Sequence, residues 1–334
     1  MARRKERIDR PVKVLSDDIY ALASIRNMLY LAAPRVLPSL LLLLLPLLAP
    51  SAYFQKVTTL AALYALLALS WDFLERSIGA VSLGQSLFFG VGGYLAGVFN
   101  VTLGLSPFWA LLFSTGVGAV ICTVLLAPCL PLRGIYFAMT TLVYPLLLSR
   151  IIEATGLLGG TDGLVGIAPF ANAWVEQYLV LGVLLGASFS LSRLLSTDFG
   201  VTLSAIGDND QTARACGINI TLYKISAVAI ASAVGAFAGA YFSFLYMFVG
   251  LSAFSLELSI LPIACAVVGG MRTLIGPVIG AFILVPLAEG ARDLGTLRIV
   301  FYSLLLAGLI LFKPEGLLNY LRRKYQQVER WVEV

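Results

Sequence analysis

Ten apolar runs separated by short polar stretches leave this chain little choice of fold, and they lie near residues 36–52, 57–74, 78–100, 107–128, 134–152, 176–195, 224–249, 257–270, 275–289 and 299–312. A transmembrane helix needs about 20 mostly apolar residues, because hydrocarbon offers no water to a free backbone amide or carbonyl. Ten such helices take up about 200 residues. The 334-residue chain therefore has room for termini and loops but not for a second large domain. Only 12% of its residues are charged and its mean hydropathy is +0.92, whereas a soluble domain carries about 25% charged residues. The reading is one all-α polytopic membrane domain spanning 36–312. The eighth and ninth runs are short and joined only by Met271 to Leu274, so they read as broken or re-entrant glycine-rich helices, with eight crossings as the alternative count.

The basic residues set the orientation. With the N-terminus inside, only Lys56, Arg150, Arg292 and Arg298 of the 23 Lys and Arg fall outside, which satisfies the positive-inside bias. Both termini are then cytoplasmic. Residues 1–35 hold eight of these cations, too many over too long a stretch for the leading part of a cleaved signal peptide, and read as a cytoplasmic arm. Ser16 is placed to cap a helix with Ile19, Leu22, Ala23, Leu29 and Tyr30 on one face, suited to lie on the membrane surface; a disordered basic tail is the other reading. Residues 313–334 read as a second surface helix, with Leu318, Leu321, Tyr325, Val328 and Trp331 beside Arg322, Arg323 and Lys324.

Composition excludes several chemistries. Histidine is absent, the four cysteines form no C-x-x-C pair, and no Gly-Lys dipeptide occurs, so zinc sites, histidine bases, His-ligated haem and a P-loop are all ruled out. No metal, cofactor or nucleic-acid partner is expected. Acidic residues near the apolar runs (Asp72, Glu75, Glu153, Glu257 and Glu289) all read as interfacial, which gives an ion-coupled carrier little support.

Glycine-rich, polar-studded stretches at 79–97, 159–166 and 269–280 interrupt the apolar pattern. Irregular backbone at membrane depth must be buried in protein or face a wet cavity. Ser82, Gln85, Phe89 and Tyr94 from the third run, with Tyr136, Thr140 and Thr141 from the fifth, are the residues assigned to a solute pathway; hydrogen bonding between helices is the alternative role for each. The G-x-x-x-G pairs Gly93/Gly97, Gly182/Gly186, Gly235/Gly239 and Gly276/Gly280 indicate tight bundling.

The longest cytoplasmic loop, 196–222, is not a loose linker. Thr197 or Asp198 is placed to cap a short helix through Ile206, the run Gly207-Asp208-Asn209-Asp210 breaks it, and Asp210 is placed to cap a second helix ending at Cys216 with Gly217 beyond it.

These residues also resemble a known family, the membrane-spanning permeases of the ABC importers for branched-chain amino acids (the Liv type). The resemblance rests on S-L-G-Q-x-x-F-F-G-x-G-x-Y at 82–94, L-R-G-I-Y-F-A-M-T-T-L at 132–142, T-D-G-L-x-G-I at 161–167, the loop from Asp198 to Ile218, V-V-G-G-M at 267–271, G-P-V-I-G-A at 276–281 and K-P-E-G-L-L at 313–318. It implies an M-like, non-catalytic permease subunit in the bacterial inner membrane, with a second homologous permease, two cytoplasmic ATPases and an external binding protein as partners. It further implies that 196–222 is a coupling loop, with Asp208, Asn209, Asp210, Arg214, Ala215 and Gly217 docking into an ATPase groove. The chain departs from the family pattern at Arg76 and Arg272, where glycine is usual, and at Gly207, where arginine is usual. Relatives of the family carry urea, amides and small aromatic acids as well as amino acids, so those cargoes stay open. From a different class, an ion-coupled carrier or channel acting alone remains the rival.

Overall fold

A computed structural model describes residues 51–170, 173–290, 308 and 316–319. The arm at 1–35, the first and tenth apolar runs and nearly all of 313–334 lie outside the described residues. The described helices are α1 (Ala52–Ile78), α2 (Gln85–Val101), α3 (Pro107–Leu126), α4 (Ile135–Thr155), α5 (Ala173–Leu195), α6 (Asp198–Asp208), α7 (Asp210–Ala215), α8 (Ile220–Tyr246), α9 (Glu257–Gly269) and α10 (Ile275–Gly290). Two short strands, β1 (Leu164–Val165) and β2 (Phe248–Val249), pair antiparallel. Five of the helices, α1, α3, α4, α5 and α8, are long and apolar enough to cross a membrane. The chain is an all-α membrane protein.

α1 is the hub. Ser51 opens it by accepting the Phe54 N–H at 3.3 Å, and Gly79 closes it in the left-handed region at φ +72. Between these caps it is almost wholly buried, whereas α4 and α5 expose most of their apolar surface, as lipid-facing or partner-facing helices do. α8 packs on α2 and α3, while α9 and α10 pack on each other and on α1. Glycine sets how close these pairs come. A Cβ on Gly239 would run into the Phe89 carbonyl, one on Gly269 into the Gly276 carbonyl and one on Gly280 into that of Cys265. The pairs Gly235/Gly239 and Gly276/Gly280 thus join helices within this chain, while Gly182 and Gly186 on α5 have open space around them.

Two irregular stretches interrupt the helical pattern. The third apolar run, expected to become helical near residue 78, does so only at Gln85: residues 79–84 fold back along α1 until the Gln85 side chain reaches Ser70, about 12 Å of helix short of the end of α1. The eighth run is helical from its first residue, but residues 247–256, which lead into it from the seventh, are irregular. Val249 lies against Gly93 and Gly97, a 3-10 turn at Leu251–Phe254 sets Phe254 against Gly90 and in a stack with Tyr94 at 5.6 Å, and only then does α9 begin. α9 runs parallel to α1, because the turn after its last residue reaches Asp72. Its 13 residues span roughly 18 Å, so Glu257 stands level with the middle of α1.

Replacing Gly239 by Ala should cost about 1–3 kcal/mol through forced separation of α2 and α8, whereas Gly182→Ala should stay within about 0.5 kcal/mol. Thermal unfolding of the two purified variants in detergent checks the contrast.

Candidate functional site

Folding 79–84 back into an apolar bundle places backbone polar groups where each must find an internal partner. The Ser82 carbonyl accepts the Trp71 indole N–H at 2.8 Å, the Leu83 N–H donates to Thr141 Oγ1 at 3.1 Å, and the Gly84 N–H donates to Ser82 Oγ at 3.3 Å. At the start of α2 the Ser86 N–H donates to Ser259 Oγ at 3.1 Å, and the two serine hydroxyls lie 2.8 Å apart. Gln85 accepts from Ser70 Oγ at 3.2 Å through Oε1, while its Nε2 has no protein partner. The result is a node of hydroxyls and one half-satisfied amide where α1, α2, α4 and α9 meet.

Of the residues assigned to a pathway, Ser82, Gln85 and Thr141 come together in this node, and all are buried. Phe89 and Tyr94 lie farther along α2, also buried, with Phe89 packed on Phe242 at 5.0 Å and the Tyr94 hydroxyl unpartnered. Thr140 is half-buried and bonded to the Tyr136 carbonyl, and Tyr136 is exposed on α4; neither is bonded to the node residues. Five of the seven residues assigned to a pathway are thus buried. Sequence reasoning missed Ser70, Trp71 and Ser259, because their roles depend on where the two irregular stretches lead into α2 and α9. Among the described residues, none of the node hydroxyls is bonded to a carboxylate or a cation. No group of three potential metal ligands occurs among the described residues.

A second ordered region stands at the end of the bundle where α1 terminates. Thr197 caps α6, accepting the Gly200 N–H at 3.5 Å. The break falls at Asn209, whose extended backbone and Oδ1, accepting from Gln211 N at 3.0 Å and Thr212 N at 3.2 Å, make it the cap of α7. The cap assigned to Asp210 thus belongs to its neighbour, which frees the Asp210 carboxylate to pair with Arg133 at 3.2 Å and the nearly buried Lys224 at 3.6 Å. Gly217 closes α7 at φ +81, and the Ile218 N–H returns to the Ala213 carbonyl at 3.2 Å. Ile206, Ala213 and Ile220 pack together beneath. Of the six residues assigned to ATPase docking, Asp208, Asn209, Arg214, Ala215 and Gly217 are exposed, and Asp210 is turned inward to its cations.

Arg76, Gly207 and Arg272 meet here. α6 crosses the end of α1 backbone to backbone: a Cβ on Gly207 would strike the Arg76 carbonyl, and one on Gly79 the Gly207 carbonyl. Arg76 donates to Ser204 Oγ and to the Arg272 carbonyl, each at 3.3 Å. Arg272 grips both Glu75 oxygens, at 3.1 and 3.2 Å, and reaches Asp208 at 3.4 Å. Its guanidinium pKa is held above the ordinary value, chiefly by the Glu75 hydrogen bonds and then by the neighbouring carboxylate charges, against the opposing effect of burial.

A helical bundle with two irregular stretches, a hydroxyl node where the helices after them begin and a rigid two-helix loop at one end has the construction of a multi-pass membrane transport protein. The profile of a family described as "Branched-chain amino acid transport system / permease component" matches residues 53–313. The chain belongs to that family. It is 26% identical over 298 residues to the "High-affinity branched-chain amino acid transport system permease protein LivM" of Escherichia coli (strain K12), covering 80% of this chain and 70% of that one; the protein of the same name from Salmonella typhimurium gives the same figures. The "Probable branched-chain amino acid transport permease protein LivM" of Methanocaldococcus jannaschii is 25% identical over 225 residues, 59% of this chain and 65% of that one. No solved structure matches the chain.

Breaking the Asp210 anchor should loosen α7 unequally. Asp210→Ala leaves Lys224 buried without its counter-ion and should cost about 3 kcal/mol, whereas Arg133→Ala removes a half-exposed partner and should cost under about 1 kcal/mol. Hydrogen exchange of the 210–216 amides in the two variants measures the difference.

Proposed function

We propose that this chain is the membrane-spanning, non-catalytic permease subunit of an ATP-binding-cassette importer in the bacterial inner membrane. With a homologous second permease it forms the pathway for a small amino acid-like solute of the branched-chain class. Two cytoplasmic ATPases supply the drive through the loop at 196–222, and an external binding protein delivers the solute. The observation that carries this reading is the family match across 53–313, which runs through a loop built as two capped helices and braced on the transmembrane core. A floppy linker could not push a bundle.

The buried node supports the same reading. Transient passage needs weak contacts, and Ser82, Gln85, Ser86, Thr141 and Ser259 offer a few hydrogen bonds in a mostly apolar setting while affinity resides on the delivering protein. ATP-driven closure of the ATPases would displace α6 and α7 and open the node alternately to each side. The aliphatic side chain of a branched-chain amino acid suits the apolar remainder of the path, and the relatives' names point to the same cargo.

Reconstituted in liposomes with its partner permease, ATPases and binding protein, the chain should take up radiolabelled leucine only when ATP is supplied, and should move none by itself. Uptake by the chain alone down a leucine gradient would instead favour a carrier. Gly217→Val places a β-branched residue at φ +81, a conformation such residues avoid, and should uncouple ATP hydrolysis from uptake; undiminished ATP-dependent uptake by that variant contradicts the role given to the loop.

A further inference from the structure

The turn joining α9 to α10 is held in an unusual way. Arg272 and Leu274 both stand in the left-handed region, at φ +61 and +60, which residues with a Cβ rarely adopt. Two such residues in one short turn need an external restraint. Asp72, fully buried in α1, supplies it by accepting the N–H groups of both Arg272 and Leu274. This staple acts on the backbone alone, so it does not require the Arg272 side chain. The backbone conformation instead sends that side chain across the end of the bundle, where it forks onto Glu75 of α1 and extends its remaining nitrogen to Asp208 at the end of α6.

Among the described residues, Arg272 is thus the side chain that ion-pairs α1 and α6 to the α9–α10 turn. α9 leaves this turn with its last turns backed by α10, Gly269 on Gly276 and Cys265 on Gly280 at backbone contact, and with Pro262 between that braced part and Ser259. Its far end carries Ser259, bonded to Ser86 beside Gln85. We propose that Arg272 is a positioning residue through which displacement of α6 and α7 reaches α9 and, at its far end, the Ser259–Ser86 contact in the node. This rests on the importer reading above and deepens it by naming the link between the driven loop and the pathway.

The test uses the complete importer in liposomes, with leucine moved per ATP hydrolysed as the readout. Arg272→Gln should lower that ratio about fivefold or more, the lower range of ordinary coupling between sites, while hydrolysis continues and the complex stays assembled. Arg272→Lys keeps the charge but not the fork and should fall between. Asp208→Asn should lower the ratio too, and the double variant should be no worse than the poorer single one, because both act through one contact. A merely structural role would reduce assembly, hydrolysis and thermal stability together and leave the ratio unchanged. An Arg272→Gln ratio within about twofold of the parent, or losses that multiply in the double variant, overturns the proposal. A parent complex that hydrolyses ATP without moving leucine defeats the importer reading itself, and the proposal falls with it; a pumping parent with an unaffected Arg272→Gln variant defeats the proposal alone.

Discussion

Every backbone amide and carbonyl inside the hydrocarbon must be satisfied within the protein, and the rest of this structure depends on how the chain meets that demand where its helices stop short. Residues 79–84 stay irregular inside the bundle because Trp71, Ser82 and Thr141 supply the partners that a helix would have supplied. Residues 248–249 do the same by pairing as a strand with 164–165. Each device frees the following helix to begin inside the bundle, and the beginnings of α2 and α9 meet at Ser86 and Ser259. The polar node is a consequence of the breaks, since ten uninterrupted helices would have no such meeting of termini.

The spans themselves were legible because a bilayer imposes length and polarity on them directly. The boundaries of α3, α4, α5, α8, α9 and α10 fall within a few residues of the apolar runs read from the sequence. The start of α2 was misplaced because residues 79–84 are small and apolar enough to pass for helix, and what stops them is the distant pull of Trp71 and Thr141. The cap of α7 was misread by one residue for a related reason: Asn209 and Asp210 are both good caps by type, and the choice is made by Arg133 and Lys224, which draw the aspartate away. Ser82, Gln85 and Thr141 were readable as a polar group on interrupted spans, whereas Ser259 became significant only through a contact made 173 residues away in sequence.

At the other end of the bundle, charge does the work that hydroxyls do in the node. Asp208 and Asp210 flank the Asn209 cap, and each turns to its own cations, so the two-helix loop is held on opposite sides of its break. Arg76, Gly207 and Arg272 cluster there. Gly207 permits backbone contact between α6 and α1 where a side chain would not fit, and arginines at 76 and 272 supply cations from the core side of the contact. The contacts of Arg272 with Asp208 and Glu75 lie at one end of α9, and the Ser259–Ser86 contact beside Gln85 lies at the other.

In the importer we propose, the node where α2 and α9 begin is a closed passage that the ATPases open. Its most direct measurement is the reactivity of a thiol at Ser259→Cys, in a chain whose exposed Cys216 is changed to Ser, toward a small water-soluble reagent in the reconstituted importer. The thiol should be unreactive at rest and become reactive when ATP and leucine-loaded binding protein are supplied. A thiol that reacts at rest as fast as an exposed cysteine, or that never reacts while leucine is being pumped, would contradict this reading.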